Sequence, residues 1–203
     1  MRIALDAMGG DHAPYEIVRG AVEAAAIPNN AISCILLVGD ETAIRNELAR
    51  YPKANMNRLE IVHAPEKIEM GESPVVAVRK KKFCSINVCM DLIKTKRADA
   101  MVSAGNSGAV STAAVFALGR IPGVLRPAIA TALPTRRPDR PMLLLDAGAN
   151  MDCDETWLSQ FAVMGAAYSK TVLKRPDPIV GLLSIGTRSE EHTSELQSRL
   201  QLV

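Results

Sequence analysis

The chain has few aromatic side chains: one Trp, three Tyr and three Phe, or 3% of its 203 residues. The residues that abound instead are Ala, Val, Ile and Leu, which suit helices packed on a parallel sheet better than a sandwich or a barrel. The composition therefore favours an α/β fold.

The net charge and the cysteine pattern of the chain exclude further classes of protein. The formal net charge is +2, too small to indicate a nucleic-acid partner. The four cysteines, Cys34, Cys84, Cys89 and Cys153, show no CxxC pair and no metal-ligand spacing. We therefore expect reduced thiols in a cytosolic protein, with no metal and no cofactor.

No apolar run approaches the roughly 20 residues that span a bilayer, so no membrane-spanning helix is expected. Asp6 interrupts the apolar start of the chain, which argues against a signal peptide. Both observations predict a cytoplasmic location.

Four common catalytic or nucleotide-binding patterns are also missing: GxGxxG, GxxxxGK[ST], GxSxG and HExxH. They would have indicated a dinucleotide site, a P-loop, a nucleophile elbow and a zinc protease. Because these patterns offer no clear nucleophilic side chain, the simplest mechanism is direct attack by a bound anion. Its catalysis would depend on positioning of the reactants and on charge stabilisation.

What the chain does contain is an alternation of short apolar runs and amphipathic helical patterns. This order predicts right-handed crossovers and an open, mainly parallel sheet with helices on both faces. The predicted strands are Arg2–Asp6 and residues 32–38, 59–62, 98–102, 128–133, 142–146 and 179–185.

The turn SAGNSGA at residues 103–109 lies between a predicted strand and a predicted helix. Small residues let backbone amides approach an anion, and a helix N-terminus adds positive charge. We predict a phosphate site formed by Ser103, Gly105, Asn106, Ser107 and Gly108, with side-chain donors from Asn106 and Ser107. A tight turn that binds nothing remains the alternative.

Two more apolar strands end in loops of small and polar residues, one in the N-terminal region and one near residue 146. Carboxyl ends of parallel strands share one sheet edge, so all three loops are expected to line one cleft. The cleft-lining candidates in these two loops are Gly9, Gly10, Asp11, His12, Asp146, Gly148 and Asn150. Asp6 and His12 could transfer protons, although bracing of a loop is the alternative for both.

The densest basic run comprises Arg79, Lys80, Lys81 and Lys82. A charge run often forms only a solvated helix end. The functional hypothesis is that one or two of these side chains reach an anion while the others face an acidic partner.

Taken in order, six segments resemble the bacterial acyl-acyl-carrier-protein:phosphate acyltransferase family. They are MRIALDAMGGDHAP at 1–14, AVRKKK at 77–82, SAGNSGA at 103–109, GRI at 119–121, RPA at 126–128 and LLDAGAN at 144–150. The resemblance implies an incomplete isocitrate/isopropylmalate dehydrogenase-like fold. It also implies transfer of a fatty acyl group from acyl carrier protein to inorganic phosphate, giving acyl phosphate for phospholipid synthesis.

The resemblance supplies no settled catalytic residue, and our hypothesis is that Asn106, Lys80 and Asp6 are catalytic; the resemblance implies the basic run as the contact for phosphate or the acidic carrier protein. It further implies a homodimer at full length and a peripheral membrane contact through a missing C-terminal half. Nucleic acid is not expected as a partner.

The last stretch, residues 188–203, is polar and breaks the pattern. It resembles the in-frame translation of a sequencing-adapter oligonucleotide. We therefore expect residues 1–187 to be the N-terminal portion of the acyltransferase fold and residues 188–203 to be non-native.

Three other functions stay open at this point. A short-chain phosphate acyltransferase could use acyl-CoA in the same cleft, and an anion-binding fragment would show no turnover. A nicotinamide dehydrogenase sharing the sheet is disfavoured by the missing fingerprint.

Overall fold

A computed structural model describes residues 1–148, 150 and 153–183. The chain divides into two compact units, the first from Met1 to Gly119 and the second beginning at Arg120. The strands are β1 (Arg2–Asp6), β2 (Cys34–Gly39), β3 (Leu59–His63), β4 (Ala100–Val102), β5 (Ala130–Leu133) and β6 (Met142–Leu145). The helices are α1 (Tyr15–Ala26), α2 (Glu41–Leu48), α3 (Pro74–Lys80), α4 (Ser85–Lys94), α5 (Ser107–Leu118) and α6 (Glu155–Thr171).

The first unit contains a four-stranded parallel sheet in the order β3-β2-β1-β4. Strand β2 is buried along nearly its whole length because helices cover both faces of the sheet. On one face, Ile35 and Leu37 pack with side chains of α1 and α2. On the other, Leu36 and Val38 pack with Cys89 and neighbouring side chains of α4. The predicted doubly wound arrangement is confirmed in this unit.

Local signals explain where several helices begin. The carboxylate of Asp40 accepts from the Ala43 amide at 2.7 Å and so caps α2. Pro74 is the first residue of α3, where its missing N–H has no consequence. Both signals are local, because each lies at the residue where its helix begins.

The second unit contains an antiparallel hairpin, β5 and β6, and the helix α6. A Cβ atom on Gly165 of α6 would lie 2.8 Å from the Leu145 side chain, so a glycine permits this close packing. The chain between residues 133 and 142 connects the two antiparallel strands of this hairpin.

One predicted strand does not form in the described residues. Residues 179–183 have no strand partner, and Ile179 and Leu183 are exposed. An apolar run becomes a strand only where a neighbour pairs with its backbone, and no described strand does so here. The rest of this predicted strand, residues 184–185, and the polar stretch from 188 to 203 lie outside the described residues.

Candidate functional site

The loops that follow β1 and β4 meet at the carboxyl edge of the parallel sheet. These two strands are paired neighbours, with Leu5 opposite Val102. Asp6 ends β1 and is 1% exposed. Its Oδ2 accepts a hydrogen bond of 2.7 Å from the Ser103 hydroxyl, and its Oδ1 accepts one of 3.2 Å from the Met8 amide.

Glycine permits the close approach of these loops. A Cβ atom on Gly9 would lie 2.5 Å from Asp6 Oδ2 and 2.8 Å from the Gly105 amide nitrogen. Gly10 has a φ of +102°, a conformation that other residues rarely adopt. A side chain at either position would separate the loop after β1 from the loop after β4.

Helix α5 begins where the two loops meet. The side chain of Asn106 caps it, with Oδ1 accepting from the Ala109 amide at 3.0 Å. The Gly105 amide donates to Ser103 Oγ at 3.1 Å. Within the described parts of the chain, the amides of Asn106, Ser107 and Gly108 have no acceptor. These three amides, at the positive end of a helix, can bind an anion.

The Asn106 side chain was predicted to donate a hydrogen bond to phosphate. In the structure it is buried, and both its oxygen and its nitrogen bind the protein. Its Nδ2 lies 3.1 Å from the Met70 carbonyl oxygen, 3.3 Å from that of Glu72 and 3.5 Å from that of Glu69. A buried amide must be satisfied, and these carbonyls do so. The side chain is thus engaged in the structure, which leaves the backbone amide of Asn106 for an anion.

The segment held by Asn106 is itself anchored by an ion pair. Lys81 Nζ lies 2.5 Å from Glu72 Oε1 and 2.9 Å from the Lys67 carbonyl oxygen. The Glu69 amide donates to the same carboxylate at 2.8 Å. This backbone hydrogen bond, followed by the Lys81 ammonium, lowers the pKa of Glu72 below its ordinary value.

The basic run separates into two kinds of residue. Arg79 lies over the Phe116 ring at 5.2 Å, and Lys81 binds Glu72. Lys80 and Lys82 are exposed, and the described residues offer neither of them an ion pair or hydrogen bond. The N–H donors of Arg79 also have no partner among the described residues, so Arg79, Lys80 and Lys82 can all meet an anion or an acidic surface.

A cavity of about 280 Å³ lies beside the site in the first unit. Its lining consists of Met8, Gly10, Asp11 and Ala13 from one loop and residues 67–70 from the segment that Asn106 holds. His12 is exposed, is absent from this lining and uses its backbone carbonyl to accept from Glu16. The structure therefore places Asp11, but not His12, at the cavity.

The third predicted loop, which follows β6, is held by hydrogen bonds between its own residues in the second unit. Asn150 Nδ2 donates to Asp146 Oδ1 at 2.9 Å, and the Gly148 amide donates to the Asp146 carbonyl at 2.7 Å. The premise that its strand belongs to the parallel sheet was wrong, because β6 pairs with β5 in antiparallel fashion and with no other strand of the described residues. The place of Asp146, Gly148 and Asn150 in the same cleft stays a prediction.

Two thiols lie among the residues behind the site. Burial raises the pKa of both Cys84 and Cys89, and the charge of Asp6 contributes in the same direction. Such thiols are poor nucleophiles.

In the described ranges no group of three or more His, Cys, Asp or Glu side chains could hold a metal ion. The helices described there are also too short or too polar to cross a membrane.

An open parallel sheet with helices on both faces defines an α/β protein, and a solved structure shares this fold. EutD phosphotransacetylase from Staphylococcus aureus superposes with a TM-score of 0.63 over 97% of this chain and 61% of its own, at 20% identity. The chain belongs to the family described as fatty acid synthesis protein, whose family model matches residues 1–202.

Curated relatives agree with this assignment and with the resemblance found in the sequence. A phosphate acyltransferase from Nostoc sp. is 54% identical over 186 residues, which are 92% of this chain and 53% of that protein. Another from Desulforamulus reducens is 50% identical over 204 residues, covering 99% of this chain and 59% of its own length. The chain thus spans a little over half the length of these relatives.

Neither the role of the segment around residues 69–72 at the site nor the pairing of Glu72 with Lys81 was predicted from the sequence. An Asn directly before a helix does indicate that its Oδ1 will cap that helix. Nothing in the local sequence indicates where its Nδ2 will donate, because the acceptors lie 34 to 37 residues earlier in the chain.

Proposed function

We propose that this chain carries the phosphate-binding part of an acyltransferase. The reaction moves a fatty acyl group from acyl carrier protein to inorganic phosphate and forms an acyl phosphate for phospholipid synthesis. Support comes from the family membership together with one structural observation. Two glycine loops meet at the start of α5, and the amides of Asn106, Ser107 and Gly108 have no acceptor among the residues that the structure describes.

In this proposal the three amides bind phosphate oxygens, and the exposed Ser107 hydroxyl adds a fourth donor. Binding fixes the nucleophile and lowers the entropic cost of its encounter with the thioester. One phosphate oxygen attacks the carbonyl carbon and forms a C–O bond. The C–S bond then breaks, and the carrier's thiolate leaves with the electron pair and takes a proton from solvent.

The proposal assigns Lys80 and Lys82 to the acidic carrier protein. Both ammonium groups are exposed and free of ion pairs in the part of the chain that the structure describes. Lys81 is already paired with Glu72, whereas Arg79 stacks on Phe116 with its N–H donors unpaired among the described residues and can add to this contact. Unpaired surface charges attract an oppositely charged protein and raise the association rate.

Further features implied by the family are included in the proposal. They are a cytoplasmic location, a homodimer and a peripheral membrane contact at full length. The part of the relatives' length that this chain does not span would supply the last two.

Trapping of acyl phosphate with hydroxylamine tests the reaction. This chain and the full-length Nostoc relative are incubated side by side with acyl carrier protein thioester, with and without phosphate. Phosphate-dependent acyl hydroxamate supports the proposal. Turnover with acyl-CoA alone would favour a short-chain phosphate acyltransferase. Absence of product with this chain, together with product from the relative, would identify an anion-binding fragment.

A further inference from the structure

The hydrogen bonds around Ser103 suggest a role for Asp6 that does not require contact with substrate. Asp6 is buried, and both its carboxylate oxygens already accept hydrogen bonds, one from Ser103 and one from Met8. A carboxylate would also repel a phosphate dianion at close range. Asp6 is therefore poorly suited to bind phosphate or to transfer its proton.

The Ser103 hydroxyl links Asp6 to the start of α5. Because its hydrogen is donated to Asp6 Oδ2 at 2.7 Å, an oxygen lone pair is available to the Gly105 amide at 3.1 Å. This arrangement fixes the orientation of the peptide that enters residue 105. The next three amides are those without acceptors in the described chain.

Close packing reinforces the link. The position that a Cβ atom would take on Gly105 lies 3.1 Å from Gly9 Cα and 3.3 Å from Ser103 Oγ. The turn is thus confined between Ser103 and the first loop, and it has little freedom to reorient while the hydrogen bonds persist.

We propose that Asp6 and Ser103 form a positioning pair that orients the amides of Asn106, Ser107 and Gly108 for phosphate. This inference rests on the proposed function. The pair acts through the Gly105 peptide and touches neither phosphate nor the thioester. Ser103 is accordingly a positioning residue, not a ligand of phosphate through its side chain.

The test is titration of the ¹⁵N-labelled chain with inorganic phosphate, followed by amide NMR. Ser103→Ala should weaken phosphate binding about five- to tenfold, as expected for an amide that is no longer held in place. It should also accelerate hydrogen exchange of the Gly105 amide. Ser103→Thr keeps the hydroxyl and should restore both properties.

Ser33→Ala is the matched control, because its exposed hydroxyl donates to the Met1 carbonyl at the opposite edge of the sheet. It should leave phosphate affinity unchanged. A merely structural Ser103 would lower thermal stability without a selective change at Gly105, and that result would overturn the positioning pair. Unchanged affinity in Ser103→Ala, with normal binding by the unsubstituted chain, would overturn it as well.

The failure of the proposed function gives a different result. If the amides of residues 106–108 in the unsubstituted chain show no phosphate-dependent shifts, the proposed phosphate site is rejected. The positioning role of Asp6 and Ser103 is then rejected as well. The Gly105 exchange measurement then shows whether the hydrogen bond from that amide exists.

Discussion

Gly9 and Gly105 approach each other so closely that a side chain at Gly9 would clash and one at Gly105 would be tightly packed. A Cβ atom on Gly9 would lie 2.8 Å from the Gly105 amide nitrogen, and one on Gly105 would lie 3.1 Å from Gly9 Cα. The two residues are 96 positions apart in sequence, yet neighbouring strands bring them together at one sheet edge. The contact joins the two loops of the proposed phosphate site.

Gly9→Ala should separate these loops. We expect a loss of about 1–3 kcal/mol in the free energy of unfolding, the usual cost of overpacking. Phosphate binding should weaken as well. Urea unfolding followed by circular dichroism measures the first effect. Trp157 fluorescence, which reports on the second unit, should change little.

Gly20→Ala is the control for that substitution. Gly20 lies within α1, and a Cβ atom there would meet nothing within 4 Å. Alanine should therefore stabilise the helix by about 0.5–1 kcal/mol. Equal effects of the two substitutions would contradict the close contact between the loops.

Asn106→Asp separates the two roles of the Asn106 side chain. The carboxylate keeps the cap on Ala109 but loses the donors to the carbonyls of Met70 and Glu72. We expect a loss of about 1–3 kcal/mol in stability from the unsatisfied acceptors.

Asp40→Asn makes the reverse exchange at the cap of α2, where only the acceptor is used. Because Asn and Asp cap helices about equally well, stability should stay within about 0.5 kcal/mol. A similarly small effect of Asn106→Asp would show that the contacts to the segment around residue 70 add nothing.

Glu72 makes the anchoring of its segment sensitive to acid. Its pKa is lowered in the folded chain, so its contribution to stability is complete above the unfolded pKa and is lost as pH falls through the folded one. The chemical shift of the Glu69 amide, which donates to this carboxylate, should titrate with a midpoint below the ordinary pKa of a glutamate.

Two substitutions check that assignment. Glu72→Gln should abolish the titration at the Glu69 amide, and Lys81→Met should raise its midpoint because the ammonium is lost. A midpoint unaffected by Lys81→Met would argue against the ion pair.

Lys80→Ala and Lys82→Ala should each weaken binding of acyl carrier protein to the chain, with effects that diminish at high salt. We expect about a two- to fivefold change for each exposed charge, in line with the small energies of such pairs. Lys94→Ala is the matched control, since this exposed lysine ends α4 at the amino edge of the sheet. Equal losses in all three variants would indicate attraction that depends only on net charge.

The sequence predicted much of the first unit because its signals are local. The continuous apolar run of β2, the cap at Asp40 and the proline that starts α3 each determine an element without help from distant residues. The turn between β4 and α5 was predictable for the same reason, and its role in phosphate binding stays a prediction. Its packing against Gly9 followed from the rule that parallel strands end at one edge.

Other features depend on contacts that local sequence does not encode. The apolar run of β6 fits either a parallel strand or a hairpin, and only its pairing with β5 decides between them. The engagement of Asn106 with Met70 and of Lys81 with Glu72 likewise depends on where a distant segment lies.

Arsenate can be located directly, because it mimics phosphate in size and charge and its arsenic atom scatters anomalously. In crystals of the chain soaked with arsenate, we predict an arsenic peak in the anomalous map at a position that puts the arsenate oxygens within hydrogen-bond distance of the amides of Asn106, Ser107 and Gly108. A bound arsenate elsewhere, with those three amides still unoccupied, would contradict it.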